Sequence, residues 1–321
     1  MRLDRQSIRS CAGPTVGLTP TTTLSLQNLP MSQEDFNSRT PSRDFSRRDF
    51  VRASVGTGFA AAVLPVMAQT LIKTDSAGLL VGEVTIPVGD FKMPAYRAAP
   101  LGKASAPAVL VISEIFGVHE HIADVVRRLA KQGYFAVAPE LFVRQGDAGA
   151  YGEVAKLLSE VVNQVPDAQV MTDLDATSAW AKGQGADISS LGITGFCWGG
   201  RITWLYAAHN PAVKAGVAWY GRLQGAVTAL NPAHPMDRVN QLNGPVLGLY
   251  GGQDSGIPVD SVNAMKAALA GGSVSARQSR FVVYPDAPHA FHADYRPSYR
   301  QDAAADGWQC CLAWFKAQGV A

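Results

Sequence analysis

The segment Leu191-Gly192-Ile193-Thr194-Gly195-Phe196-Cys197-Trp198-Gly199-Gly200-Arg201 constrains the fold more than any other part of the 321-residue chain. An apolar run from Ile188 to Ile193 stops at a glycine, presents one reactive side chain, and meets two more glycines before a helical pattern begins. That order reads as strand, tight turn and helix. The spacing Gly195-x-Cys197-x-Gly199 is that of a nucleophile elbow, with cysteine where serine usually stands. A nucleophile held this way has a strained backbone, and side chains two residues to either side would collide with the neighbouring strand and helix. The helix start also offers backbone N–H groups that favour a thiolate and a developing oxyanion. Alone, the pattern fits a buried structural cysteine beside a glycine-rich turn equally well, so its partners must decide.

Around this centre the chain alternates strand and helix. Gly82 to Pro87 and Phe91 to Arg97 alternate in polarity and read as an opening antiparallel pair. Ala108 to Ile112 is continuously apolar, as a strand buried on both faces requires. A loop with Glu114, His119 and His121 leads to a helix over 122–132, then a strand over 134–138. Two helical patterns, 154–165 and 168–182, are separated by Pro166. After the elbow come a strand over 213–220, an irregular excursion over 221–244, a strand over 245–250, a helix over 259–270, a strand over 279–284 and a closing helix over 298–318. This order predicts a mostly parallel sheet with helices on both faces, and ligands at the carboxyl ends of the strands.

The N-terminal fifth reads differently. Residues 1–45 are rich in Ser, Thr, Pro, Gln and Asn and cannot bury enough apolar surface to order themselves. Ser46-Arg47-Arg48-Asp49-Phe50-Val51, a weakly apolar run from Ala53 to Met67 and the Val66-Met67-Ala68 end resemble a twin-arginine signal peptide over 46–68. The run is too short and too rich in Gly and Ala for an ordinary membrane span, so no stable anchor is expected. Met31 is an alternative start that gives this signal a normal length. The expectation is periplasmic or secreted location, reached through the twin-arginine export machinery, with one domain over 69–321. Over that domain 20 Lys and Arg face 21 Asp and Glu, which leaves no basic patch for nucleic acid.

Chemistry-bearing residues fall at the strand ends. Cys197 follows one strand, Asp254 follows the strand ending at Tyr250, and His289 follows the strand ending at Tyr284. Nucleophile, acid and histidine in that chain order is the arrangement of the α/β-hydrolase fold. A thiol of ordinary pKa is only partly ionised near neutrality and needs a base within reach, and the base needs a carboxylate to fix its tautomer. Singly, Asp254 reads as a helix cap and His289 as a loop histidine; jointly they make a triad. His292 lies three residues beyond His289 and reads as a supporting or surface residue. His119, His121, His209 and His234 have no metal-ligand arrangement and read as helix-end or surface residues, so neither metal nor cofactor is expected.

From about Val81 onward the chain resembles the dienelactone hydrolase family, also called carboxymethylenebutenolidases. The matching motifs are Ser113-Glu114-Ile115-Phe116-Gly117, Gly195-Phe196-Cys197-Trp198-Gly199-Gly200, Asp254 with Ile257-Pro258, and His289-Ala290-Phe291. The resemblance implies Cys197 as nucleophile, His289 as general base and Asp254 as its orienting acid. It further implies Glu114 as a carboxylate that governs the ionisation of the thiol, and the backbone N–H groups of Ile115 and Trp198 as oxyanion donors. Arg144 matches a family arginine that binds a substrate carboxylate; a solvated loop residue, or one paired with Glu140 or Glu114, is the competing reading. A second family arginine is expected four residues beyond His289, where Ala293 stands, and Arg296 is its displaced neighbour. The function expected is a secreted, monomeric cysteine hydrolase opening lactones or cleaving small esters through a thioester. A broad carboxylesterase and a non-catalytic binding protein of the same fold are the alternatives, and the lack of a C-x-x-C around Cys197 argues against a thiol redox protein.

Overall fold

The computed structural model describes residues 72–321, so Met31 and the segments read as leader and export signal lie outside the described residues. Strands β1 (Leu79–Val88) and β2 (Phe91–Pro100) form the expected antiparallel pair, turning through Gly89 at φ +58°, a left-handed conformation that glycine adopts without steric cost. Six strands follow: β3 (Pro107–Ile112), β4 (Phe135–Pro139), β5 (Asp187–Phe196), β6 (Val213–Trp219), β7 (Val246–Gly251) and β8 (Arg280–Tyr284). Neighbours among these six run parallel, and β2 joins β4 antiparallel. The eight make one sheet in the order β1-β2-β4-β3-β5-β6-β7-β8. Every residue of β3, β4 and β7 is buried, which requires cover on both faces.

The cover comes from α1 (Glu120–Lys131), α2 (Val154–Glu160), α3 (Asp167–Gly183), α4 (Trp198–His209), α5 (Val259–Ala270), α6 (Val274–Gln278) and α7 (Gln301–Ala317). α5 has the bounds its periodicity predicts. The helix expected over 154–165 instead breaks at Val161, whose φ of −123° and ψ of −67° are not helical, and resumes as a 3-10 turn over Val162–Gln164. Val161 and Val162 are β-branched and both buried, so packing rather than helical propensity decides their backbone. α6 has no counterpart in the sequence reading, because five residues carry too little periodicity; Ser273 caps it by accepting from the Ala276 N–H at 3.1 Å. The excursion over 221–244 is irregular as expected, apart from a 3-10 turn over Pro235–Gln241 whose start is closed by His234 and Asp237.

Two histidines correct the surface reading. His121 and His234 are buried, because α1 docks His121 against Phe196, and His234 bonds the Ala226 carbonyl at 3.1 Å beneath the excursion. His209 does lie at a helix end, in contact with Asp175 at 2.8 Å. Among the described residues no helix is long and apolar enough to cross a membrane.

Candidate active site

Cys197 sits between β5 and α4 with φ +54° and ψ −113°, a region L-residues adopt only when their surroundings hold them there. The surroundings are backbone: the Cys197 N–H donates to the Trp219 carbonyl at 3.0 Å, and its own carbonyl accepts from Gly200 and Arg201 at 3.0 and 3.2 Å. The elbow glycines are obligatory for a spatial reason. A Cβ on Gly195 would lie 2.3 Å from the Gly199 carbonyl oxygen, and one on Gly199 would lie 2.4 Å from that of Ile112. Strand and helix therefore touch main chain to main chain, which lifts the cysteine to the carboxyl edge of the sheet. Trp198 is the first residue of α4, so its N–H has no acceptor within the helix. Ile115 follows β3, and β3 and β5 pair Ile112 with Gly195, which places the two loops side by side.

Asp254 and His289 meet beside this thiol although 35 residues separate them. The Asp254 loop after β7 and the loop after β8 are joined by main-chain bonds from Gly252 to Tyr284 at 2.7 Å and from Gln253 to Ala287 at 3.0 Å. Asp254 Oδ1 accepts from the N–H groups of Gly256 and Ile257 at 3.0 and 3.2 Å, which aims Oδ2 at His289 Nδ1, 2.6 Å away. The imidazole also hydrogen-bonds Cys197. Burial alone would lower the His289 pKa, but negative charge on Cys197 and Asp254 and the two bonds outweigh it and raise the pKa to about 10. The protonated form of the ring is thus favoured in the folded site.

Glu114 occupies the other side of the site and is buried. Tyr295 donates its hydroxyl to Glu114 Oε2 at 2.5 Å, while Arg296 Nη2 and His119 Nε2 each stand 3.6 Å from that oxygen, near enough for charge but too far for a hydrogen bond. Burial would push the carboxyl up, yet Arg296 and His119 hold it well below the usual carboxylate range. The result is a buried anion with one oxygen, Oε1, lacking a hydrogen-bond partner. Arg296 lies over the rings of Phe116 and Tyr295 at 4.9 and 5.0 Å.

Arg144 is drawn elsewhere. Its Nη1 and Nη2 donate to Asp173 Oδ2 and Oδ1 at 2.6 and 2.8 Å, and its guanidinium covers the Phe91 ring at 4.1 Å. The partner is neither Glu140 nor Glu114, the two carboxylates expected in the competing reading; Glu140 instead accepts from the Val118 N–H at 2.9 Å. His292 is not a surface residue: it is buried, with its ring 4.5 Å from Trp219 and 5.0 Å from Phe196. Burial, with His121 and Arg128 nearby, keeps it neutral. Sequence reasoning missed Tyr295 and Asp173, which carry no motif of their own. Tyr220, which reads from the sequence as core and pocket wall, is buried and stands at φ +39° with its ring edge-on to His289 at 5.1 Å. Among the described residues no cluster of His, Cys, Asp or Glu is suited to a metal ion.

Comparison with known proteins gives the family and the fold. The model of the "Dienelactone hydrolase family" matches residues 93–319. A protein of Methylorubrum extorquens named "Putative carboxymethylenebutenolidase" is 59% identical over 288 residues, which cover 89% of this chain and 98% of that one. One from Escherichia coli with the same name is 52% identical over 264 residues, 82% of this chain and 96% of its own. The crystal structure of a "Putative Dienelactone Hydrolase" from Klebsiella pneumoniae superposes with a TM-score of 0.71 at 54% identity, covering 74% of this chain and 98% of that chain. An eight-stranded α/β-hydrolase sheet, a cysteine elbow and matches of this length have one common consequence: the chain belongs to the dienelactone hydrolase family.

Proposed function

We propose that the protein is a cysteine hydrolase that opens lactones or cleaves small carboxylic esters through a thioester on Cys197. The observation that carries this reading is the placement of the His289 imidazole between the Asp254 carboxylate at 2.6 Å and the thiol of Cys197. A thiolate paired with an imidazolium is a nucleophile and an acid already in place. The sulfur attacks the carbonyl carbon, and the oxyanion is received by the N–H groups of Ile115 and Trp198. Collapse breaks the C–O bond, and His289 gives its proton to the departing alkoxide. In a lactone the new alcohol remains tethered to the acyl group. Neutral His289 then takes a proton from water as the water oxygen attacks the thioester; the C–S bond breaks, the acid leaves, and thiolate and imidazolium are restored. Asp254 fixes the tautomer throughout.

Names of the relatives point to the same bond type. In this reading the Arg47-Arg48 signal sends the enzyme to the periplasm or beyond, where it works on small molecules as a monomer. Glu114, the carboxylate expected to restrain the thiol, is gripped by Tyr295 and Arg296, which favours a thiolate that is ready before substrate arrives. The test is a hydrolysis screen with lactones and aryl esters, each with and without prior alkylation of the protein. Turnover that disappears in proportion to carboxamidomethylation of Cys197 is expected. No turnover of any ester, or turnover that survives complete alkylation, would reject the reading.

A further inference from the structure

The loops that build the site at the carboxyl edge of the sheet are not tied to one another in the same way. The elbow is tied to β3 by main-chain contact, since a Cβ on Gly199 would lie 2.4 Å from the Ile112 carbonyl oxygen. The loops of Asp254 and His289 share main-chain hydrogen bonds. Among the described residues, no backbone hydrogen bond joins the loop after β3, with Glu114 and the Ile115 N–H, to the loop after β8, with His289. β8 stands four places from β3 in the sheet, about 19 Å away at roughly 4.8 Å per strand. The β8 loop therefore returns across the sheet edge, and side chains hold it there.

One of these contacts lies wholly in the interior. His121, in the first turn of α1, and Asp294 are both buried, and His121 Nδ1 stands 2.8 Å from Asp294 Oδ1. The other oxygen, Oδ2, accepts from the Ile72 N–H at 2.8 Å, and Arg128 Nη2 lies 3.6 Å from it. Burial would raise the Asp294 carboxyl, but the His121 bond and the Ile72 N–H lower it, so the group stays ionised and Nδ1 is the donor. The His121 ring also meets Phe196, the residue before Cys197, edge-on at 6.2 Å. Asp294 in turn sits in a stiff stretch: the N–H groups of Ala293 and Arg296 bond back to Ala290 and Ala293, and that of Arg300 to Phe291, each at 3.0 Å. A displacement of Asp294 is thus passed along the loop to His289. We propose that His121 and Asp294 are positioning residues for the hydrolysis: their buried bond sets the loop of His289 against α1 and the loop that carries the Ile115 N–H. Neither acts on the reacting atoms directly. The proposal rests on the hydrolase reading for its turnover measurements, and on the pairing of Cys197 with His289 alone for the rest.

His121→Leu keeps a side chain of similar size and deletes the donor, whereas His121→Asn keeps an N–H near the place of Nδ1 and leaves a void. Packing alone would rank leucine above asparagine; a positioning bond ranks asparagine above leucine. On an aryl ester, kcat per folded molecule should fall roughly tenfold to a hundredfold in His121→Leu with KM within about twofold, because a misplacement of about 1 Å costs on that scale and what is lost is transition-state geometry. His121→Asn should stay within about threefold of the wild type. Combining His121→Leu with Asp294→Asn removes the buried charge together with the bond, and should repeat the loss of kcat where the single variant is too unstable to purify. Without turnover, the pH midpoint for alkylation of Cys197 by iodoacetamide should rise in His121→Leu and return toward the wild-type value in His121→Asn, since a loosened His289 supports the thiolate less. Equal kcat in the wild type and His121→Leu, equal losses in the two single variants, or a change confined to KM would overturn the proposal. If the wild type hydrolyses no ester, the hydrolase reading falls; the same ranking of alkylation midpoints then still supports the positioning role, and midpoints that coincide overturn it.

Discussion

The Tyr295 hydroxyl donates a hydrogen bond to Glu114 Oε2 at 2.5 Å across 181 residues of sequence, and this bond separates the buried carboxylate from a merely electrostatic neighbour. Replacing Tyr295 by phenylalanine deletes the donor and keeps the ring. A hydrogen bond to a charged group contributes roughly 1.5–3 kcal/mol, so chemical unfolding should show a loss in that range. Glu114 also becomes less restrained near Cys197, and a carboxylate near a thiol opposes its ionisation. The pH midpoint for alkylation of Cys197 should therefore rise relative to wild type. An unchanged midpoint would show that Tyr295 serves stability alone.

Cys197→Ala should abolish hydrolysis and leave the fold intact, because a methyl group cannot form a thioester. Cys197→Ser should retain little activity, since a hydroxyl depends much more on base assistance than a thiolate does. Turnover by the alanine variant, measured on a chromogenic ester, would end the assignment of the nucleophile.

His289 and His292 are close in sequence and opposite in role. Alanine at 289 should lower kcat by at least about a hundredfold. Alanine at 292 empties a site packed against Trp219 and Phe196, and should cost on the order of 3 kcal/mol of folding stability while kcat per folded molecule changes much less. The opposite ranking in kcat would reassign the base.

The elevated pKa of His289 carries a signed consequence for pH. A group whose folded pKa is raised from about 6.5 to about 10 adds stability that is complete below 6.5 and is lost as pH rises through 10. The stability gap between wild type and His289→Gln should accordingly shrink between pH 6.5 and 10. Acylation followed in a single turnover should fall over the upper end of the same window, as the acid for the leaving group is lost. A gap that widens with pH would contradict the imidazolium assignment.

The proposed export rests on residues outside the described ones. Changing Arg47 and Arg48 to lysine conserves charge and should keep the protein in the cytoplasm, unprocessed; a chain started at Met31 should export like the full one. Normal processing of the lysine variant in a fractionation assay would show the paired arginines to be accidental.

What was legible in the sequence followed from local rules. Gly195, Cys197 and Gly199 announce an elbow because main-chain contact leaves no room for a Cβ, and that requirement is written at fixed spacing. Asp254 and His289 were legible because a parallel sheet puts its successive strand ends on one edge. Asp173 and Tyr295 were not legible, since which carboxylate meets Arg144, or which hydroxyl meets Glu114, depends on how distant elements dock. His121 was misjudged for a related reason: a histidine at the start of a helix looks solvated until the neighbouring loop brings Asp294 to its Nδ1 at 2.8 Å.

The main-chain bonds that tie the Asp254 loop to the β8 loop make the acid and the base arrive together, and late. Neither loop can take its place until β7 and β8, the last strands at that edge, have docked on β6. Loop-closure entropy makes such distant pairings the slow part of assembly. Recovery of catalysis after dilution from denaturant is therefore a clock for the final event of folding.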